Sequence, residues 1–339
     1  MNNFNYVRAV APQEAIKLKQ AKQNSFFIAG GTNLIDLWKY DIEHPETMID
    51  IANLKDAQRI EDLGAKGVRL GALVTNADTA HHPIIKKRYP LLSNTILAGA
   101  SAQIRNSATN GGNLLQRTRC YYFYDKSVPC NKKIPGSGCP ARNGLNRLHA
   151  ILGHSEDCIA TFPSDMCVAL AALEAKVEVT GPNGDRIIEF ENFHKLPGTT
   201  PHIENSLKPD EIITSLILPS QGFSKYYSYL KLRDRNSYAF ALVSVATGIE
   251  LENQTIQKIR IALGGVAHVP WRKKEAEVFL EGKKPTSVNF RKAAEIVMEG
   301  AVGFEHNSFK IEAGKRAIVR NALMALNPSS QRPGAKPSL

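Results

Sequence analysis

Two glycine pairs in separate parts of the chain, Gly30-Gly31 and Gly111-Gly112, set the strongest constraint on its fold. Each is joined to Thr and Asn. Ala29-Gly30-Gly31-Thr32-Asn33 follows the short apolar run Ser25-Phe26-Phe27-Ile28, and Ser107-Ala108-Thr109-Asn110-Gly111-Gly112-Asn113 follows a segment of helical spacing. Glycine lets backbone N–H groups approach an anion closely and adopt positive φ. Thr and Asn add side-chain donors. Two such loops from different parts of the chain can grip one pyrophosphate from two sides. Either pair taken alone reads first as a tight turn. No G-x-G-x-x-G follows a strand, so the dinucleotide fold built on that fingerprint is not indicated.

The surrounding periodicities predict three zones. Residues 1–60 read as a small α/β unit: strands over 25–28 and 47–51, with a helix over 13–22. Residues 61–220 read as a second unit. It holds a strand over 68–72, a helix around 91–100, a helix over 165–175 capped by Ser164, and a hairpin whose arms, 176–180 and 186–190, flank Gly181-Pro182-Asn183-Gly184-Asp185. Residues 224–326 read as strands over 226–232, 239–250 and 256–263, then helices over 272–280, 290–302 and 314–326. Strands first and helices after is an α+β arrangement. Residues 327–339 read as a flexible tail.

Residues 117–159 break the second unit's pattern. This stretch is rich in Cys, Pro, Gly and basic residues, and an irregular loop of that length needs something to hold it together. Cys120-x9-Cys130-x8-Cys139-x18-Cys158 supplies four thiols. The C-x2-4-C knuckles of common zinc sites are absent, as is the C-x4-C-x2-C spacing of a plant-type [2Fe–2S] site. A [4Fe–4S] cluster and an unusual zinc site both fit what remains. Cys167, inside the expected 165–175 helix, reads as a buried core cysteine. Arg117, Arg119, Lys132 and Lys133 read either as offsetting cluster charge or as solvated or partner-facing residues.

Gly99 to Asn113, Gly-Ala-Ser-Ala-Gln-Ile-Arg-Asn-Ser-Ala-Thr-Asn-Gly-Gly-Asn, resembles the second FAD-binding loop of the xanthine oxidase/CO dehydrogenase flavoprotein family, and Phe27 to Leu34 resembles the first. Further likenesses follow in order: Phe162-Pro163-Ser164-Asp165; Leu196-Pro197-Gly198; Leu207 to Ile213, which resembles the loop crossing the cofactor; and Tyr229-Leu230-Lys231 with Arg233 and Ala239. The resemblance covers nearly the whole chain. It implies a two-subdomain FAD-clasping α/β fold (PCMH/VAO-like) with a C-terminal α+β domain, an α+β protein overall. It implies FAD contacts from Phe27, Ile28, Ala29, Gly30, Gly31, Thr32, Asn33, Leu34, Ala108, Thr109, Gly111, Gly112, Asn113 and Leu207. It places Asp165 at the ribityl chain or ribose and Lys231 at the flavin ring's polar edge. The Leu114–Cys139 text looks closest to the aldehyde oxidoreductase branch; there, as in the branch acting on 4-hydroxybenzoyl-CoA, the insertion holds a [4Fe–4S] cluster. That likeness implies Cys120, Cys130, Cys139 and Cys158 as ligands.

The resemblance also implies partners: a small subunit with [2Fe–2S] centres, a large subunit with the molybdenum cofactor, and an external electron acceptor at FAD. No catalytic acid or base is expected in this chain. The formal charge of +11 comes from scattered Lys and Arg without interleaved aromatics, so no nucleic-acid partner is expected; the basic surface suits an acidic partner subunit. No run of about 18 apolar residues predicts a membrane span. The N-terminus lacks an apolar signal core, so a periplasmic location would require co-export of a folded complex, the alternative being the cytoplasm. Two rival readings stand beside this one: a zinc-stabilised binding or scaffold protein, and a standalone FAD oxidoreductase.

Overall fold

A computed structural model describes residues 2–328 and builds three sheets. The first is parallel, with β1 (Asn5–Arg8), β2 (Ser25–Ile28) and β3 (Thr47–Asp50) in the order β1-β3-β2. Helices Pro12–Ala21 and Leu34–Lys39 make the connections, since parallel strands need crossovers rather than hairpins. The middle strand, β3, is buried at all four positions.

The second sheet is antiparallel: β4 (Ile60–Asp62), β5 (Val68–Gly71), β6 (Lys176–Gly181), β7 (Gly184–Glu189) and β8 (Ile212–Leu218), in the order β4-β5-β8-β6-β7. The third is also antiparallel: β9 (Tyr226–Leu232), β10 (Val243–Glu252), β11 (Thr255–Gly264) and β12 (Trp271–Arg272), in the order β12-β11-β10-β9. Helices Lys274–Leu280, Ser287–Val297 and Phe309–Ala325 complete the C-terminal unit, and Phe290, Ile318 and Ala322 join Ile259 and Ile261 of β11 in its core.

The helix Asp165–Ala172 links the second and third sheets. Met166 to Ala172 are all buried, as a helix covered on every side requires. A Cβ on Gly264 of β11 would lie 2.6 Å from Val168 Cγ2, so β11 packs directly on this helix. Asp165, at the helix start, is its one charged residue.

Several elements differ from expectation. Ile212-Ile213, expected in a crossing loop, begin β8, which lies between β5 and β6. The segment has no clean period because most of it is buried on both faces. β1 escapes the sequence reading because three of its four residues are exposed, and β12 because it is two residues long. The helix expected from residue 314 starts at Phe309, and the helix from Asp165 ends at Ala172 rather than 175. Of the expected tail, residues 329–339 lie outside the described residues.

The irregular stretch is tied down at both ends. Arg117 N–H donates to Asn33 Oδ1 over 2.8 Å, while Ile151 and Leu152 donate to Val266 O and lie in the C-terminal core. In between, buried Asn131 clamps three strands of loop. Its backbone N–H donates to Gly138 O (2.9 Å), its Oδ1 accepts from Gly138 N–H (2.7 Å), and its Nδ2 donates to Asp157 O (2.9 Å).

Candidate functional site

Two adjoining cavities form one cleft. The smaller, about 260 Å³, is lined by Phe27, Ile28, Ala29, Gly30, Gly31, Thr32, Asn33 and Leu34, facing Thr109, Gly111 and Gly112. The larger, about 940 Å³, is lined by Ala108, Asn113, Asp165 and Lys231 among others. Thr32, Asn33 and Gly112 line both. Leu207 lines neither: it packs against the core of the second sheet, and Glu211, Ile212 and Ile213 line the smaller cavity from that segment instead.

The two glycine loops touch each other. A Cβ on Gly30 would lie 1.8 Å from Ser107 O, and the Ser107 hydroxyl donates to Gly30 O over 2.9 Å. Gly31 sits at φ +69°, in the left-handed region that glycine enters without penalty. The loops differ in the donors they leave free. The N–H groups of Asn110, Gly111, Gly112 and Asn113 are spent on Val74 O, Ala72 O, Thr109 Oγ1 and Thr109 O. Among the described residues, the N–H groups of Gly30, Gly31 and Thr32 have no intramolecular partner. Asn33 adds a buried Nδ2 that is also unpaired. Free backbone donors therefore belong to the first loop, and the grip is less symmetric than the sequence suggests.

A buried amide network shapes the second loop. Asn113 Nδ2 donates to Asn76 Oδ1 (2.7 Å), Asn76 Nδ2 to Asn110 Oδ1 (3.2 Å), and Asn110 Nδ2 to Thr79 Oγ1 (2.9 Å). Asn113 Oδ1 accepts from the Ser164 hydroxyl (2.5 Å), which itself caps the Asp165 helix by accepting from Cys167 N–H (3.0 Å). Asn76 is not signalled in the sequence, because its partners, Asn110, Asn113 and Met166, lie 34, 37 and 90 residues away.

Asp165 and Lys231, expected as separate contacts, form one unit. Lys231 Nζ lies 2.7 Å from Asp165 Oδ2, and the Tyr229 hydroxyl donates to Asp165 Oδ1. Burial, and then the Asp165 charge, hold the Tyr229 hydroxyl far above its ordinary pKa, so it stays a donor. Gly99 leaves room for the carboxylate: a Cβ there would lie 2.8 Å from Asp165 Oδ2.

The cysteines of the irregular stretch are linked in pairs. Cys158, and then the backbone N–H groups of Ile159, Ala141 and Arg142, favour the Cys139 thiolate and lower its pKa to about 6, against burial, which raises it. Cys120 is close enough to Cys130 and Cys139 to feel both charges; burial pushes it up to about 12, against backbone hydrogen bonds from Phe123 and Tyr122. His149, not signalled in the sequence, brings Nε2 to 3.1 Å from Cys120 Sγ. Cys167 lies apart in the core around the second sheet, where burial pushes its thiol up to about 12. No group of three or more His, Cys, Asp or Glu side chains close enough to hold a single metal ion occurs among the described residues.

Each of the nearby cations has a partner within the chain. Arg117 bridges Glu43 (2.6 Å) and Glu204 (2.8 Å), Lys132 reaches Glu204 (2.6 Å), and Arg119 reaches Asp36 (3.3 Å). Lys133 Nζ donates to Tyr122 O (3.2 Å). Three of these four fasten the stretch to other parts of the chain. Lys132 also exerts its charge on Cys158. No helix among the described residues is long and apolar enough to cross a membrane.

Two family models match the chain. Residues 2–221 match the FAD binding domain in molybdopterin dehydrogenase, and residues 226–302 match the CO dehydrogenase flavoprotein C-terminal domain. The chain belongs to the FAD-binding medium subunits of the molybdenum hydroxylase family. Among its relatives, the aldehyde oxidoreductase FAD-binding subunit PaoB of Escherichia coli (strain K12) is 47% identical over 319 residues, covering 94% of this chain and 96% of that one. The carbon monoxide dehydrogenase medium chain of Hydrogenophaga pseudoflava is 25% identical, covering 86% and 85%. In fold, the chain is similar to quinoline 2-oxidoreductase from Pseudomonas putida 86, with a TM-score of 0.74 at 22% identity over 97% of this chain and 98% of that one.

Proposed function

We propose that this chain carries FAD in the cleft and a [4Fe–4S] cluster on Cys120, Cys130, Cys139 and Cys158, as the middle subunit of a molybdenum-dependent aldehyde oxidoreductase. Electrons from the molybdenum centre of a large partner subunit pass through iron–sulfur centres, including those of a small [2Fe–2S] partner, to this chain and then to an external acceptor. The observation that supports the reading is the pairwise linkage of the four cysteines, Cys120 with Cys130 and Cys139, and Cys139 with Cys158, with backbone hydrogen bonds acting on Cys120 and Cys139. Such hydrogen bonds favour thiolates and help set the potential of a bound cluster. The relationship to an aldehyde oxidoreductase FAD-binding subunit supports the substrate class.

The unpaired Asn33 Nδ2 and the free N–H groups of Gly30 to Thr32 fit an anionic cofactor group. FAD, when bound, supplies the electron exchange, and the protein supplies placement and electrostatics. Gly30 to Asn33 would hold the pyrophosphate. Lys231, held in place by Asp165, would present a fixed positive charge to the larger cavity, and Tyr229 fixes Asp165 in turn. Arg117 and Lys132 hold the cysteine stretch against the rest of the chain through Glu204.

Purification of the native complex, with absorption spectroscopy and metal analysis, tests the proposal. Flavin bands near ~450 nm, an iron–sulfur shoulder, and about four irons beyond those of the [2Fe–2S] partner are the expected result. A colourless protein containing zinc would sink it. A lone monomer that oxidises aldehydes would contradict the subunit assignment.

A further inference from the structure

The four expected ligands do not have equal surroundings. Cys120 alone shares a small crevice with Asp165, and its chain neighbours Arg119 and Tyr121 line the larger cavity. Its sulfur also has a side-chain partner beyond the cysteines, His149 Nε2 at 3.1 Å. His149 is 2% exposed, and its ring lies beside those of Tyr121 and Tyr122, at centroid distances of 6.4 and 6.2 Å. Its other nitrogen, Nδ1, is buried without a partner. A buried N–H left unpaired is costlier than an unpaired acceptor, so the ring proton belongs on Nε2, facing sulfur.

The ring is held from the C-terminal unit. Fully buried Lys310, in the helix Phe309–Ala325, donates to His149 O over 2.8 Å and to Gly265 O over 2.7 Å. Asn307 Nδ2 donates to the same His149 carbonyl over 3.2 Å, and His149 N–H donates to Asn146 O over 2.9 Å. Both backbone polar groups of His149 are therefore paired, which holds its backbone in place.

Resting on the cluster assignment above, we propose that His149 is a positioning residue for the cluster, donating a hydrogen bond from Nε2 to the Cys120 thiolate and raising the cluster's reduction potential. A hydrogen bond to a ligating sulfur draws off negative charge, which stabilises the reduced cluster.

The test is a potentiometric titration of the purified complex, followed by electron paramagnetic resonance, in the wild type, His149→Phe and His149→Gln. Iron and flavin are counted in each. The expected result is a full cluster in all three, a negative shift of its midpoint potential in His149→Phe, and a potential near wild type in His149→Gln, whose amide N–H can still reach sulfur. An unshifted potential in a fully loaded His149→Phe complex overturns the proposal while leaving the cluster assignment intact. Loss of iron in both variants also overturns it, because His149 would then act as a ligand. A wild-type complex without this cluster overturns both.

Discussion

Lys231 Nζ and Asp165 Oδ2 stand 2.7 Å apart, closing an ion pair across 66 residues of sequence at the wall of the larger cavity. The side chains are only 5% and 10% exposed. Each charge is tolerated there because the other is present, and removing one leaves an uncompensated buried charge. The pair also joins the start of the helix Asp165–Ala172 to β9, so it ties the wall of the larger cavity to the C-terminal unit.

Asp165→Asn is expected to destabilise the chain by ~3 kcal/mol and to lower FAD per polypeptide. Lys231→Met should do the same. The double variant should recover part of the loss, because the two effects share one interaction. Denaturant unfolding of all three variants measures the coupling; strictly additive losses would show that the pair does not act as a unit.

Gly30→Ala should separate the two glycine loops. Its Cβ would need space now held by Ser107 O at 1.8 Å, a backbone atom that cannot swing aside. A cost of ~1–3 kcal/mol is expected for such overpacking. Flavin absorbance retained through gel filtration should fall well below wild type. Full retention would mean that the loops move apart freely.

Cys130→Ser and Cys139→Ser are expected to lose the cluster iron while keeping most of the FAD. The cysteine stretch does touch the first glycine loop, but through Arg117 N–H, and Arg117 is anchored by Glu43 and Glu204 rather than by any cysteine. Cys167→Ala should keep iron and FAD alike and lose only about 1 kcal/mol of core packing. Iron and flavin analysis of the three variants distinguishes ligands from core.

Glu204→Gln should be harmful at neutral pH and progressively less distinguishable in acid. Burial raises the Glu204 pKa, but Lys132 and Arg117 together hold it below the ordinary 4.5. A folded pKa below the unfolded one means that the stabilisation is fully present above about 4.5 and is lost as pH falls through the folded value. The variant should cost ~3 kcal/mol at pH 7, since Lys132 has a side chain only 3% exposed. Thermal unfolding across pH 3 to 7 (roughly the span over which carboxylates titrate) checks this; a deficit that grows toward acid would refute it.

The sequence by itself determined the local chemistry. Glycine with Thr and Asn marked both loops that line the cleft, Ser164 marked a helix start, Gly184 with period-two flanks marked the β6–β7 hairpin, and four cysteines in an aperiodic stretch marked the point where regular structure stops. These signals are short-range, and a few residues set them. Only the tertiary structure decided which loop keeps its backbone donors free, because two of the partners that occupy the second loop's N–H groups, Val74 O and Ala72 O, come from another part of the chain. It also decided that Lys231 pairs with Asp165, that Glu204 joins Arg117 to Lys132, and that His149 faces Cys120. Such contacts depend on which distant elements are pressed together. β8 shows the same limit: most of its residues are buried on both faces, so it carries no periodicity, and only its place between β5 and β6 makes it a strand.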